Sequence, residues 1–396
     1  MIDMTAPEHH HDIDVLLVSE LPVWPLDQGF RIRGANMAMA LAAQGARVGV
    51  ASITPLPDEA PAALRGLAID WPTASPADLT QLCTGWVGRA EGLRHRLAQR
   101  QGLATDSIAG VVSLARRTRA RAVIGLGPHA PAMLRALRGV EGVTTIWYAA
   151  DELVRFNLSC MRYEPWRNLP LRMRRTLVYA LFENLFARGL DGAIGVSPRD
   201  AQLLRSVAGV RQTMTIRNGV DTAFHQPIAV DATPRSLVFW GRLDFEPNID
   251  AVCSFARRVW PMLRARYRDA VWRIVWRDPD ARVAAPTRLA CIEVGGLVDD
   301  VRPRVCGAAV TVLPMRCGGG IKNKLLEAAA MARPIVASPR AVAGLDLPTE
   351  PCVVHVCRRP DAWVARIAQL WDQPTQAAQL GADARRWIVT HHTWPA

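Results

Sequence analysis

The sequence predicts an α/β protein with a doubly wound parallel sheet and more than one domain. Near the start of the chain, an apolar run at 13–19, a helical stretch at about 31–44 and a second apolar run at 48–53 follow one another. This order of strand, helix and strand is typical of a parallel sheet with helices on both faces. The chain has 396 residues, more than one hydrophobic core usually organises, so two domains are expected.

The later elements continue the alternation of strands and helices. Apolar, β-branched runs that suit buried strands occur at 122–127, 144–150, 191–197, 236–240, 271–275 and 309–313. Helical patterns occur at 172–188, 248–266, about 321–331 and 382–394. Ser197 is followed three residues later by Asp200, a variant of the capping box that begins a helix.

The composition is that of a globular protein with an excess of positive charge. Hydrophobic residues make up 50% and charged residues 21% of the chain, and no apolar run reaches the ~20 residues of a membrane-spanning helix. The net charge of +12 permits nucleic acid, an anionic membrane or a phosphorylated substrate as a partner. No basic motif interleaved with aromatic residues is present, so no specific nucleic acid is expected.

The cysteines and the N-terminus indicate a cytoplasmic protein. The eight cysteines are scattered and form no CxxC motif, and several lie in apolar runs, so we expect reduced core residues. The first twelve residues are polar and lack the basic and apolar regions of a signal peptide.

A glycine-rich turn between the strand at 309–313 and the next helix is a candidate anion site. Gly318, Gly319 and Gly320 would let backbone amides approach a ligand, and the helix N-terminus favours negative charge. Lys322 and Lys324 add two cations, which oppose the helix dipole unless an anion lies beside them. The alternative is a plain turn with exposed lysines. The spacing matches neither a P-loop nor a GxGxxG motif.

Glu327 lies one to two turns into this helix among apolar neighbours. Its carboxylate could accept hydrogen bonds from paired hydroxyls of a ligand. Equally, it could belong to a solvated helix face or pair with Lys324 or Arg333, and the pattern alone favours neither interpretation.

The stretch at 172–188 reads as a basic amphipathic helix. It could lie on an anionic lipid surface. The more common arrangement for such a helix is to pack its Leu and Phe side chains on a sheet.

Four segments in the second half resemble the donor-binding half of the family 4 glycosyltransferases, most of all the branch associated with exopolysaccharides. They are GLVDDVRP at 296–303, LPMR at 313–316, GGGIKNKLLEA at 318–328 and RPIVAS at 333–338. The resemblance implies the GT-B fold, in which two Rossmann-like, doubly wound domains face each other across a cleft. It implies an acceptor-side domain at 1–221, a nucleotide-sugar-binding domain at 222–380, and a helix at 381–396 that crosses back to the first domain.

The resemblance also implies a donor site. Gly29 corresponds to a loop glycine beside the donor phosphates, and Arg242 to the arginine of a Gly-Arg-Leu motif that contacts the diphosphate. The residues expected to hold the donor are Gly29, Arg242, Gly318, Gly319, Gly320, Ile321, Lys322, Lys324 and Glu327, with Glu327 on the ribose hydroxyls. We expect the cleft to face Gly29, Arg242, Gly320 and Glu327.

Candidates for the reacting side of the sugar are fewer. His129 follows the strand at 122–127, and the carboxyl end of a parallel strand is the ligand side of such a sheet. Asp151 follows the strand at 144–150, where many family members have a histidine near the position of Ala150. Arg31 and Arg33 are candidates for an anionic ligand, with solvated arginines at a helix start as the alternative.

Three further departures from the family pattern concern the donor site. The usual lysine after the Gly-Arg-Leu motif is absent, and Asp244–Asn248 occupy its place. Trp276 follows the strand at 271–275 where a glycine is usual, and Gly319 stands in place of the first of two glutamates. We expect Lys322 or Lys324 to supply the missing cation.

The sequence therefore predicts a retaining glycosyltransferase that moves a sugar from a nucleotide-sugar donor to a glycan, lipid-linked or small-molecule acceptor. No metal or other cofactor is expected, because arginine and lysine can neutralise the diphosphate. Peripheral contact with an anionic membrane is compatible with the charge. A GT-B protein that binds nucleotide sugars without transferring them is the alternative, and an epimerase of similar fold is disfavoured by the lack of acidic groups.

Overall fold

The computed structural model describes residues 12–26, 28–72, 105–149, 153–275, 291–295, 298 and 300–394. These residues form two compact units. The first unit contains the described residues up to Arg155 together with Pro170–Ile216, and the second contains Phe156–Leu169 and the residues from Arg217 onward. The chain leaves the first unit for the second after Ile216, earlier than the domain boundary expected at 221.

The first unit is built on a parallel sheet of six strands. The strands are β1 (Val15–Ser19), β2 (Val48–Ser52), β3 (Ala122–Leu126), β4 (Thr144–Tyr148), β5 (Gly192–Gly195) and β6 (Thr213–Thr215). Their order across the sheet is β2-β1-β3-β4-β5-β6, and every pair is parallel. The helices up to residue 206 are α1 (Gly29–Ala43), α2 (Ala62–Arg65), α3 (Thr105–Thr118), α4 (Ala130–Ala136), α5 (Leu153–Met161), α6 (Leu169–Ala187) and α7 (Pro198–Ser206).

The alternation of side chains along β1 shows why this sheet is covered on both faces. Leu16 and Val18 belong to one buried apolar cluster, and Leu17 between them belongs to another. Successive side chains of a strand point to opposite faces, so apolar residues at every position require a core on each side. The prediction of a doubly wound sheet is confirmed.

The second unit repeats the architecture. Its strands are β7 (Thr233–Trp240), β8 (Val271–Val275), β9 (Ile292–Gly295), β10 (Ala308–Leu313), β11 (Ile335–Ala337) and β12 (His355–Val356). The order is β12-β11-β10-β7-β8-β9, again with every pair parallel. Its helices are α8 (Glu246–Arg258), α9 (Trp260–Arg266), α10 (Arg302–Cys306), α11 (Asn323–Ala330), α12 (Pro360–Asp372) and α13 (Pro374–His391).

Two local predictions have different outcomes. Ser197 is the N-cap of α7, where its Oγ accepts a hydrogen bond from the Asp200 amide at 3.3 Å, so the capping prediction is confirmed. The single helix predicted at 248–266 is wrong, because the chain breaks at Val259 into α8 and α9. Pro261 explains the break: it has no amide hydrogen and its ring collides with a carbonyl of the preceding turn.

The described cysteines form no disulfide bond. Five described cysteines are buried and two are exposed, and all seven are free thiols.

The long helices pack within their own units. α6 packs Phe182 and Phe186 into a core cluster of the first unit, while α13 packs against α11 in the second. Within the described residues, no helix combines the length and the apolar character that crossing a membrane requires.

Candidate functional site

The glycine-rich turn lies where it was predicted, between the carboxyl end of β10 and the start of α11. Gly318 and Gly320 have φ angles of +105° and +61°, a region that favours glycine, and all three glycines are buried. The Gly318 amide donates to Ser159 Oγ at 2.9 Å. Among the described residues, no protein acceptor bonds to the amides of Gly319 and Gly320. The turn therefore presents two amides suited to an anion.

Lys324 brings its ammonium group to the end of the neighbouring strand β7. Nζ donates to Asn248 Oδ1 at 2.8 Å and lies 4.3 Å from the centre of the Phe239 ring. A Cβ atom on Gly241, whose φ is +130°, would lie 2.6 Å from this Nζ. Gly241 thus leaves the space that the ammonium group occupies. Burial lowers the pKa of Lys324 to about 7, although Glu327 acts in the opposite direction.

Lys322 has a different environment from Lys324. Its Nζ donates to the carbonyl of Gly319, within the same turn. A Cβ on Gly318 would lie 3.1 Å from this Nζ. Lys322 therefore closes the glycine turn, whereas Lys324 joins α11 to β7.

Arg242 follows Gly241 and forms an ion pair with Asp244. Nε and Nη2 donate to the two carboxylate oxygens at 3.0 and 2.7 Å, and both side chains are exposed. The Arg242 carbonyl accepts from Asn248 Nδ2 at 2.7 Å. Asn248 thus holds the Arg242 backbone with its amide nitrogen and Lys324 with its amide oxygen.

Glu327 lies on α11 facing the last residue of β7. Its Oε2 accepts a hydrogen bond from Trp240 Nε1 at 2.9 Å, and the residue is half-buried. An ionised carboxylate has about four acceptor positions, so the indole occupies only part of its capacity. Arg333, which the sequence suggested as a possible partner of Glu327, instead donates to the Ala308 carbonyl at 2.8 Å.

A segment from the middle of the chain completes this side of the second unit. Tyr163 lies beneath the Arg316 guanidinium, 4.4 Å from the ring centre, and Arg316 Nε donates to Asp250 at 2.9 Å. Contact with Cys160, together with burial, raises the pKa of the Cys317 thiol. With the bond from Gly318 to Ser159, these contacts fix the approach to the glycine turn. No sequence motif indicated them.

The candidates in the first unit lie at the carboxyl ends of its strands. His129 is the N-cap of α4, directly after β3, and its Nδ1 is 2.8 Å from Glu20 Oε2, after β1. Gly29 is the first residue of α1, and its carbonyl accepts from Arg33 Nε at 3.0 Å. Arg33 is only 3% exposed and Arg31 is half-buried, so neither is a simple solvated arginine. Burial raises the pKa of Tyr148, which Arg33 contacts.

Other predicted positions lie outside the described residues. These are Asp151, the loop that begins at Trp276, and parts of the segment at 296–299. Among the described residues, no group of three or more His, Cys, Asp or Glu side chains is arranged to hold a metal ion.

Comparison with known proteins adds a family match and a fold. Residues 234–373 match the model of the glycosyl transferases group 1 family. No curated protein is significantly similar in sequence. Sucrose-phosphate synthase from Thermosynechococcus elongatus has a similar structure, with a TM-score of 0.70 and 16% identity over 96% of this chain and 95% of that one.

Two further structures are similar over almost their whole length. Anabaena HepE, in complex with UDP and glucose, gives a TM-score of 0.64 and 12% identity, with 96% of both chains covered. WaaG, a glycosyltransferase involved in lipopolysaccharide biosynthesis, gives 0.60 and 15%, also with 96% of both chains covered. The chain therefore has the GT-B fold, and the sheet that carries the glycine turn lies in a region that matches the group 1 glycosyl transferases.

Proposed function

We propose that the protein is a retaining glycosyltransferase that moves a sugar from a nucleotide-sugar donor to an acceptor hydroxyl. The observation that carries the proposal is the position of Lys324. This residue lies on the helix that follows the glycine turn, and its ammonium group reaches Gly241, the residue before Arg242. A leaving nucleoside diphosphate develops negative charge, and fixed cations and amides aimed at that charge stabilise the transition state.

The donor diphosphate would be held by the second unit. The amides of Gly319 to Ile321 would face the phosphates. Lys324 would supply the cation that other family members obtain from the lysine after the Gly-Arg-Leu motif, which this chain lacks. Arg242 would exchange part of its contact with Asp244 for the diphosphate. With these cations in place we propose that transfer needs no metal ion.

The sugar and nucleoside ends of the donor have separate candidates. Glu327 would accept hydrogen bonds from the ribose hydroxyls with the acceptor positions that Trp240 leaves open. His129, held by Glu20, is proposed to assist at the sugar, and Asp151 remains a second candidate. HepE has been solved with UDP-glucose, and WaaG acts in lipopolysaccharide biosynthesis, which supports a nucleoside diphosphate sugar and a glycan acceptor. We place the reaction in glycan or exopolysaccharide synthesis.

Nucleoside diphosphates are expected to stabilise the protein against heat. A ligand that binds only the folded state at about 100 times its Kd adds about 2.7 kcal/mol to the free energy of unfolding. A thermal-shift screen of nucleoside diphosphates with different bases would identify the donor base. Nucleotide sugars of that base are then tested for turnover, with the anomeric configuration of the product read by NMR.

The outcomes of this screen separate the candidate functions. Turnover with retained configuration supports the proposal. Tight binding without transfer or hydrolysis indicates a nucleotide-sugar-binding protein. No stabilisation by any nucleoside diphosphate would contradict both.

Diphosphate affinity is expected to fall as the pH rises above about 7, the pKa of Lys324 in the free protein. Below this pH the ammonium is already charged; above it, an arriving anion must draw a proton onto the amine. Each pH unit above the free pKa should therefore weaken binding about tenfold, until the pKa of the bound state is passed. Calorimetry in buffers of different ionisation enthalpy measures the proton uptake directly.

The matched control for this experiment is Lys324→Met, which has no amine to titrate. It should bind the diphosphate weakly and take up no proton above neutral pH. Equal proton uptake by the wild type and the variant would assign the titration to another group.

A further inference from the structure

Helix α6 of the first unit has apolar residues on the side that faces away from its core. Phe182 and Phe186 are buried, whereas Met173, Leu177 and Leu181 are 61%, 61% and 42% exposed. These three residues are spaced four apart, so they form one stripe along the helix. The outward face of a surface helix is ordinarily polar, and contiguous exposed apolar residues mark an interaction site.

The charge beside this stripe is positive. Arg174, next to Met173 on the helix, is exposed, and Glu183, which is the only acidic residue of α6, is 2% exposed on the core side. The outward face of α6 is thus apolar and cationic. A partner that fits it must offer both negative charge and apolar surface.

A basic cavity continues the same face beyond the stripe. It has a volume of about 360 Å³ and is lined by Arg135, Arg138, Asn184, Leu185, Arg188 and Gly189, with no carboxylate among them. Positions 184 and 188 come seven and eleven residues after Leu177, close to whole numbers of helical turns. The cavity therefore lies at the C-terminal end of the face that carries the stripe, where Asn184 Nδ2 donates to the Val207 carbonyl at 2.9 Å.

The arginines of this cavity have different degrees of exposure. Arg135 is 6% exposed, and its Nη1 donates to the Arg188 carbonyl at 2.7 Å, which stabilises the end of α6. Arg138 and Arg188 are exposed at the rim. Helix capping accounts for Arg135, but it does not explain the exposed apolar stripe.

We propose that this face of α6 docks on an anionic phospholipid bilayer. The helix would lie in the plane of the headgroups, with Met173, Leu177 and Leu181 entering the acyl boundary. The rim arginines Arg138 and Arg188 would contact lipid phosphates at the cavity. Amphipathic helices bind membranes by combining buried apolar area with attraction to anionic lipid, and both contributions are present here.

The test is flotation of the full chain with vesicles, without donor or acceptor, so it does not depend on the proposed activity. We expect binding to an equal mixture of phosphatidylcholine and phosphatidylglycerol, weakened by salt, and little binding to phosphatidylcholine alone. Arg138→Gln and Arg188→Gln should each weaken binding roughly fivefold. The triple variant Met173→Ser, Leu177→Ser, Leu181→Ser should lose binding even at low salt.

Matched control variants come from exposed residues of the second unit. Arg257→Gln and Arg258→Gln each remove one charge, as each rim variant does, and Met262→Ser removes one exposed apolar side chain, 44% exposed, without touching α6. These controls should bind vesicles as the wild type does. Circular dichroism and the thermal midpoint confirm that every variant is folded.

Three outcomes would overturn the proposal. One is no binding of the wild type to the anionic vesicles. Another is an equal loss of binding in the α6 variants and the controls, which would reflect net charge alone. The third is self-association of the wild type in light scattering that the serine variants abolish without any effect on vesicle binding, which would assign the stripe to a second copy of this chain.

Discussion

Lys324→Met is expected to lower the rate of sugar transfer at least about 100-fold, the scale seen when one fixed group that stabilises transition-state charge is removed. Methionine is apolar and unbranched, so it can fill the space between Phe239 and Gly241 without the charge. Arginine is a poorer replacement, because Gly241 leaves little room around the ammonium group. The variant should also have a lower affinity for the nucleoside diphosphate, whereas its affinity for the nucleoside should hardly change.

Lys322→Met is the matched control, because it removes an equal charge only two residues away, at the N-cap of α11. Its Nζ bonds to the Gly319 carbonyl, so we expect a smaller loss than for Lys324. The Lys324 variant should be at least as stable as the wild type below pH 7, where the wild type has a half-buried charge whose desolvation is unfavourable. The assignment of Lys324 as the diphosphate cation would be wrong if Lys324→Met lowered the affinity for nucleoside and nucleoside diphosphate equally. It would also be wrong if Lys322→Met alone abolished transfer.

The parts of this site that the sequence predicted are those determined by local pattern. The β-branched residues of β10 and the glycines after it specify a buried strand and a turn, whatever surrounds them. The structure has β10 at Ala308–Leu313 and α11 at Asn323–Ala330, within two residues of the expected bounds. Gly318 and Gly320 have the positive φ angles that only glycine adopts readily.

The parts that could not be predicted depend on contacts between distant residues. Ser159 bonds to Gly318 across 159 positions of the sequence, and no pattern at 156–169 indicates that this segment packs in the second unit. The sequence indicated Asn248 as the start of a helical pattern and as one of the residues in place of a missing lysine, yet its two amide atoms join Arg242 to Lys324. Such roles follow from packing, which sequence periodicity does not specify.

Glu327→Gln and Glu327→Ala are expected to weaken donor binding to different extents. Hydrogen bonds from two ribose hydroxyls to a carboxylate are charge-assisted, at roughly 1.5–3 kcal/mol each. Glu327→Ala should therefore lose at least about tenfold in affinity, at about 1.4 kcal/mol per decade. Glu327→Gln keeps an oxygen that can accept from a donor and should lose less.

The hydrogen bond from Trp240 requires a structural control for these variants. In Glu327→Ala the buried indole Nε1 loses its acceptor, which costs about 1–3 kcal/mol of folding stability. Glu327→Gln retains an acceptor there, and Trp240→Phe removes the donor while keeping the carboxylate. The thermal midpoints of the three variants separate the loss of this bond from the loss of a ligand contact.

A 2′,3′-dideoxy nucleotide then tests whether the Glu327 carboxylate contacts the ribose. The analogue should bind the wild type poorly, because the carboxylate loses both of its proposed ligand donors. It should lose little further affinity on Glu327→Ala, since the two deletions remove the same interaction and contacting groups are not additive. Calorimetry of both nucleotides with both proteins completes the cycle. If the two losses simply add, Glu327 acts on the protein through Trp240 and Lys324, and the ribose is bound elsewhere.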